Sequence, residues 1–329
     1  MSRPARDPLR PERLADFGGQ PDIATEVDVL LRAAGVRGEL PPHMLFAGPP
    51  GLGKTTLAAI MAAELTLPLV TTSGPLLEKP SDLAGILVGI SEPTVVFIDE
   101  IHRIPIAAQE ILYTAMEDGR LDVVVPEGAG RSRTLSIPLE PFVLIGATTK
   151  AGLLSGPLRG RFGYVGRLSL YTEHALSAIV ARSAGALELD VTPAAAALVA
   201  SRSRGTPRTA NKWLRRVRDY ADASGATHID EDLAVAALDL FGVDALGLDK
   251  VDRRLLSTLV TTFSGGPVGV ATLATAIEEE TRTLEEVHEP YLMRAGLLAR
   301  TARGRVATAA AYTHLGLAVP AHLAGDAAS

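Results

Sequence analysis

A chain of 329 residues exceeds the usual size of one hydrophobic core, so two or three domains are expected. With 47% hydrophobic and 21% charged residues the composition excludes global disorder, and a formal net charge of −6 excludes an overall basic surface for nucleic acid. Any nucleic-acid contact has to be local. The absence of cysteine removes disulfides, thiolate metal sites and cysteine nucleophiles. No apolar run approaches the roughly 20 residues that cross a bilayer, and Met1 to Arg13 lacks a secretory apolar core, so a soluble cytoplasmic protein is expected.

In chain order, His43 to Ala47 reads as a short buried strand and Thr55 to Leu65 as an Ala/Leu-rich helix. Between them lies Gly48-Pro-Pro-Gly-Leu-Gly-Lys54-Thr55-Thr56, a complete phosphate-binding loop in the strand–loop–helix setting such a loop needs. Gly48, Gly51 and Gly53 let backbone N–H groups turn inward around phosphate oxygens, Lys54 is placed for the β- and γ-phosphates, and the Thr55 hydroxyl is placed for Mg²⁺.

Val95 to Ile98 forms an apolar strand ending in Asp99-Glu100. Two adjacent carboxylates at the end of a buried strand have no cheap structural explanation; Asp99 suits the Mg²⁺ shell, and Glu100 suits orienting or polarising a water. His102 follows, but without a second histidine at useful spacing it is not assigned to a metal. Leu121 to Val125 and Thr134 to Ile137 look like hairpin arms around a Gly-rich segment, Pro126 to Arg133, either a partner contact or an exposed connector. Phe142 to Ala147 is another buried strand, running into Thr148-Thr149, where a hydroxyl can face the γ-phosphate or be a satisfied strand-end threonine. Arg159-Gly-Arg161 lies on a connector, from which a guanidinium could reach a neighbouring subunit's nucleotide. The region from His43 to about Leu170 thus reads as α/β with a mainly parallel sheet.

After Tyr171 the pattern changes to amphipathic helices: Thr172 to Ala184, Pro193 to Ser203, Pro207 to Ala223 and Asp230 to Phe241, with Thr and Asp as caps. Further helices follow Asp249, at Val270 to Glu280 and at Leu284 to Ala295; Leu297 to Arg300 and Arg305 to Thr308 then form a hairpin, the layout of a winged helix. From Pro290 to Leu317 there are four arginines, Arg294, Arg300, Arg303 and Arg305, and no acid. Such a cluster suits salt-sensitive phosphate contacts, the alternative being a solvated basic turn.

The ordered set GPPGLGKTT, TSGP (Thr72 to Pro75), FIDEIHR (ending at Arg103), AMED (Ala115 to Asp118), GATT, SRGTPRTAN (Ser203 to Asn211), FSGGPVG, EPYL and ARGRVAT resembles the RuvB family of bacterial Holliday-junction branch-migration motors, within the AAA+ ATPases, from about Leu9 to Leu317. The resemblance implies an AAA+ domain (1–170), a helical lid (171–243), a winged-helix head (244–317) and a flexible tail (318–329). It implies ATP and Mg²⁺ as cofactors, and as partners four-way-junction and duplex DNA, RuvA bound at the Leu121 to Ile137 hairpin, RuvC in a larger complex, and a homo-hexameric ring. By position it assigns nucleotide contacts to Leu9, Arg10, Gly51, Gly53, Lys54, Thr55, Thr56, Glu117, Asp118, Gly119, Tyr171 and Arg208. Asp99 and Glu100 take the metal and water roles, with Thr55 also on the metal; Thr149 is sensor 1, Arg208 sensor 2, Arg161 the arginine finger, and Arg300 and Arg305 DNA contacts. Departures stand at Gly119, Pro126, Lys150, Gly160 and Thr281. A clamp-loader-like AAA+ ATPase, or a non-motor adaptor that nucleotide only switches, are the alternatives.

Overall fold

The computed structural model describes residues 7–128 and 131–324. By compactness the chain divides into two units, Met1–Ala200 with Gly205–Leu214 and Ser201–Arg204 with Arg215–Ser329.

In the first unit, helix α1 (Pro21–Arg37) precedes strand β1 (Met44–Ala47) and helix α2 (Lys54–Glu64). Strand β2 (Leu69–Ser73), helix α3 (Pro80–Val88), strand β3 (Thr94–Asp99) and helix α4 (Ile106–Asp118) follow, then hairpin strands β4 (Arg120–Gly128) and β5 (Arg131–Pro138), strand β6 (Phe142–Thr148), helix α5 (Gly156–Gly160) and strand β7 (Tyr164–Arg167). A five-stranded sheet has the order β2-β3-β6-β1-β7, every neighbouring pair parallel. Parallel strands need crossovers that bury both sheet faces, which is why β1 and β6 are buried at every position instead of alternating. Leu45, Val96, Ile98, Leu144 and Phe162 pack with Leu83, Leu87, Ala108 and Leu112 of α3 and α4 into one core. Helix α6 (Glu173–Ala186), capped by the Thr172 side chain on the Ala175 N–H, and helix α7 (Pro193–Ser201) complete this unit's lid-like part, together with the start of α8 (Pro207–Ser224).

The hairpin's strands run further than the alternation of apolar residues indicated. Pairing continues through Pro126↔Ser132 and Gly128↔Arg131, with a register shift between Pro126 and Gly128. The Gly-rich segment is thus largely strand, and the shift absorbs a proline that cannot donate to the ladder.

In the second unit, helix α9 (Glu231–Leu240) is capped by Asp230 and helix α10 (Lys250–Thr261) by Asp249. Helix α11 (Val270–Ala276) ends earlier than its pattern suggested. Helix α12 (Thr281–Thr283) passes through one π turn, Leu284–His288, into α13 (Glu289–Arg294). The wing pairs Leu298–Thr301 antiparallel with Gly304–Ala307, and helix α14 (Ala309–His314) follows. Leu255, Leu256, Leu259, Leu273, Leu284, Leu292, Ala307 and Tyr312 form its core. Within the segment expected to be a flexible tail, Val319 and Leu323 pack against that core and Ala321–Ala324 is helical. Residues 325–329 lie outside the described residues. Among the described residues no helix is long and apolar enough to cross a membrane.

Candidate nucleotide site and DNA interface

The sheet order places β1 beside β6 and β6 beside β3, all parallel, so their C-terminal ends lie side by side. The phosphate loop leaves the first, Thr148 and Thr149 the second, Asp99 and Glu100 the third. This is the edge at which open α/β sheets hold ligands.

The loop has the geometry of a cradle. Gly48, Gly51 and Gly53 have φ of 150°, 82° and 99°, which β-carbon-bearing residues resist. A Cβ at Gly48 would stand 2.4 Å from the Leu168 carbonyl oxygen, and one at Gly53 3.0 Å from the Phe17 ring. Helix α2 begins at Lys54 with Gly53 as its cap and no side chain bonded to its first amides, so those amides remain for an anion. The buried Lys54 Nζ donates to the carbonyls of Gly48 (2.7 Å) and Pro49 (2.8 Å), held within its own loop. Burial lowers its pKa, the carboxylates of Asp99 and Glu100 oppose that, and the Arg208 charge adds to the lowering. A positive group held against both effects favours phosphate.

Glu100 has a φ of 50°, a left-handed conformation rare for its type. The Asp99 Oδ1 accepts the Glu100 N–H at 2.9 Å. His102 stands behind Glu100, its Nε2 3.4 Å from the Glu100 Oε2 and its Nδ1 2.9 Å from the Thr148 hydroxyl, which also accepts the Lys150 N–H at 3.0 Å. That arrangement suits a ring with its proton on Nε2, facing the carboxylate. His102 is thus a support for Glu100, a role nothing in its sequence spacing signalled. Thr148 is fully buried and bonded to His102 and Lys150, while Thr149, beyond the strand's end, is half-buried.

A pocket adjoins the loop, lined by Leu9, Arg10, Phe17, Gly53, Thr56, Tyr171, Ile179, Arg182, Pro207 and Asn211. The Tyr171 hydroxyl donates to the Leu52 carbonyl (3.1 Å), and burial pushes its pKa up to about 12. The Tyr171 N–H donates to the Gly205 carbonyl and the Arg208 N–H to the Gly51 carbonyl, joining the turn before α8 to the phosphate loop. Arg182 ties down the amino-terminal segment, donating to the carbonyls of Asp16 (2.7 Å) and Leu9 (3.2 Å). Phe17, Ile179, Arg182 and Asn211 escaped the sequence reading because each is unremarkable in isolation; only the fold gathers them.

The remaining expected nucleotide residues form a separate group. Glu117 and Asp118 end α4, and Gly119 caps it with a φ of 61°, which accounts for glycine there. Arg161, the cap of α5, pairs with Glu117 and bonds the Tyr113 hydroxyl. At Gly160 an added Cβ would meet nothing within 4 Å, and nothing in the structure requires glycine.

In the winged-helix region Arg300 and Arg305 are register partners on the wing, yet they differ. Arg300 and Arg303 are exposed. Arg305 is buried and its guanidinium is held by Glu289 (Nε to Oε1, 2.7 Å; Nη2 to Oε2, 3.0 Å) and by Glu285 (2.9 Å). Two carboxylates that the sequence places 16 and 20 residues away thus engage Arg305, while Arg300 is exposed. Gly304, with φ 138°, sits where a Cβ would lie 2.3 Å from the Val268 carbonyl, so only glycine lets the wing fold down. At Thr281, Arg282 is exposed and pairs with Glu286.

Asp249, Asp252 and His288 lie close enough to suggest a metal centre. The Arg204 guanidinium already pairs with both carboxylates, and His288 Nδ1 is 2.7 Å from Asp252, so a cation is supplied by the protein itself.

Three family descriptions match the chain in succession: the Holliday junction DNA helicase RuvB P-loop domain over residues 9–168, the RuvB AAA lid domain over 171–244, and the RuvB C-terminal winged helix domain over 245–316. A Holliday junction branch migration complex subunit RuvB from Saccharopolyspora erythraea is 54% identical over 321 residues, covering 97% of this chain and 90% of that protein. The same subunit from Pseudarthrobacter chlorophenolicus is 54% identical over 320 residues, covering 97% and 88%. Among solved structures, the Thermotoga maritima RuvB Holliday junction branch migration motor superposes with a TM-score of 0.84 at 44% identity, over 95% of this chain and all of that one.

Proposed function

Because this chain belongs to the RuvB family of Holliday junction branch migration motors, we propose that its ATP hydrolysis translocates duplex DNA and so moves the four-way junction, with RuvA holding the junction, RuvC in a larger complex, and this chain assembled as a homo-hexameric ring in the cytoplasm. The observation that carries the reading is the convergence of the phosphate loop, Asp99, Glu100 and Thr149 on adjacent strand ends, beside a pocket closed by Leu9, Tyr171 and the Arg208 turn.

The amides from Gly51 to Lys54 and the Lys54 ammonium bind the phosphates, with Thr56 and Gly53 at the loop's flank. Leu9, Arg10 and Tyr171 enclose the base side. Mg²⁺ fits a donor set of the Thr55 hydroxyl and the Asp99 carboxylate, hard oxygen ligands, and when bound would neutralise charge developing between the phosphates. Glu100 orients the attacking water, kept in aim by His102 and Thr148, and Thr149 contacts the terminal phosphate. Arg208 reports nucleotide to the lid. Glu117, Asp118, Gly119 and Arg161 cluster apart, as a set acting on the neighbouring subunit's nucleotide would.

DNA is held by Arg300 and Arg303 through its phosphates, independent of base sequence, while Arg305 fixes the wing that carries them. The β4–β5 hairpin is the surface for RuvA. The decisive experiment measures ATPase rate and four-way-junction migration with and without RuvA and duplex DNA. Migration that requires ATP and RuvA is expected; hydrolysis without strand movement, even with RuvA, would sink the motor reading for this chain.

A further inference from the structure

Arg161 emerges between the α5 turn and the buried Phe162, so its backbone is anchored while its long side chain has four rotatable bonds. Its guanidinium carbon stands 4.4 Å from the centroid of the Tyr113 ring. Nη2 donates to the Tyr113 hydroxyl and pairs with the Glu117 carboxylate. Tyr113 and Glu117 are four residues apart on α4, one turn apart on the same face, so together they make a two-point holder. Both polar contacts use Nη2. Nε is buried without a partner, and Nη1 has no hydrogen-bond partner among the described residues, so one edge of the fork is held and the other left open. The side chain remains 32% exposed.

We propose that Tyr113 is a positioning residue for hydrolysis at the neighbouring subunit's nucleotide: its ring and hydroxyl restrict Arg161 to one arrangement, with the free edge of the guanidinium turned outward. The inference rests on the reading of Arg161 as a finger acting in trans. A free arginine loses much rotamer entropy on engaging a phosphate; one already stacked and bonded loses less, so the gain falls on the transition state. Tyr113 itself touches no substrate. Tyrosine supplies both functions at once, a π face for the cation and a hydroxyl for one N–H.

The full-length chain is used, with steady-state ATPase kinetics as the readout. Tyr113→Ala is expected to lower kcat about tenfold with KM for ATP within about twofold, and Tyr113→Phe, which keeps the ring, only about threefold. Tyr113→Ala subunits are then mixed with Lys54→Ala subunits, which have no working phosphate loop but an intact finger. Turnover above that of either variant alone is expected, because a good finger now serves a good loop; a merely misfolded variant would not be rescued. Arg161→Ala mixed with Lys54→Ala is the control. Rescue of Arg161→Ala without rescue of Tyr113→Ala, or a Tyr113→Ala turnover within twofold of the unsubstituted chain, overturns the role of Tyr113 alone. If Arg161→Ala keeps full turnover or is not rescued, the trans-finger reading fails, and the inference with it.

Discussion

The phosphate-loop end of the sheet and the wing of the second unit are both built around positive side chains beside carboxylates, yet they use charge in opposite ways. At the loop, Lys54 donates only to carbonyls of its own loop, with Asp99 and Glu100 near enough to influence its charge but not bonded to it. At the wing, Arg305 is locked to Glu289 and Glu285 while Arg300 stays in solvent. A cation kept from a carboxylate partner can bind a ligand; one fully paired below the surface shapes the surface. Residue type does not distinguish the two, whereas pairing and burial do.

The largest effect should come from the unpaired cation. Lys54→Ala is expected to lower ATP turnover by a factor on the order of 100 or more, with the fold intact by circular dichroism, since the side chain's contacts are two loop carbonyls. Turnover within tenfold would show that the loop amides suffice. Next comes the paired cation: Glu289→Ala leaves Arg305 buried with one carboxylate, and should cost about 3 kcal/mol in urea unfolding while leaving ATP affinity unchanged. A loss below about 1 kcal/mol would mean that Glu285 compensates. Arg300→Ala should be milder and of another kind, weakening duplex binding several-fold and reducing the salt dependence by about one counterion, with no change in stability. An unchanged salt slope would remove Arg300 from the phosphate contacts.

The smallest effect separates the wing region by pH. Burial pulls the His288 pKa down, but the hydrogen bond and charge of Asp252 outweigh it, so the folded value lies above the ordinary 6.5. Its contribution is therefore complete below 6.5 and lost as pH rises through the folded value. Unfolding midpoints across that window should fall in the unsubstituted chain and stay flatter in His288→Gln. Parallel curves would show that Arg204 alone satisfies Asp252.

The motif strings located the loop glycines, Lys54, Asp99 and Glu100 without any structure, because each depends on neighbours along the chain: glycines where φ is positive, a carboxylate pair where a buried strand ends. The helix caps at Thr172 and Asp230 were legible for the same reason. His102 behind Glu100 was not, because its partner Thr148 lies 46 residues on and meets it only through strand adjacency. Nor was the tail's packing, which needs a core from other segments.

By itself, then, the sequence determined the parallel α/β framework, the phosphate loop with its carboxylates and the basic wing, all written in local spacing and periodicity. Only the tertiary structure decided which charges are free. It paired Glu117 with Arg161, and it turned Arg305 inward while its register partner Arg300 faces out. The physical reason is that a charge's role depends on what lies within a few ångströms, and those neighbours come from distant parts of the chain.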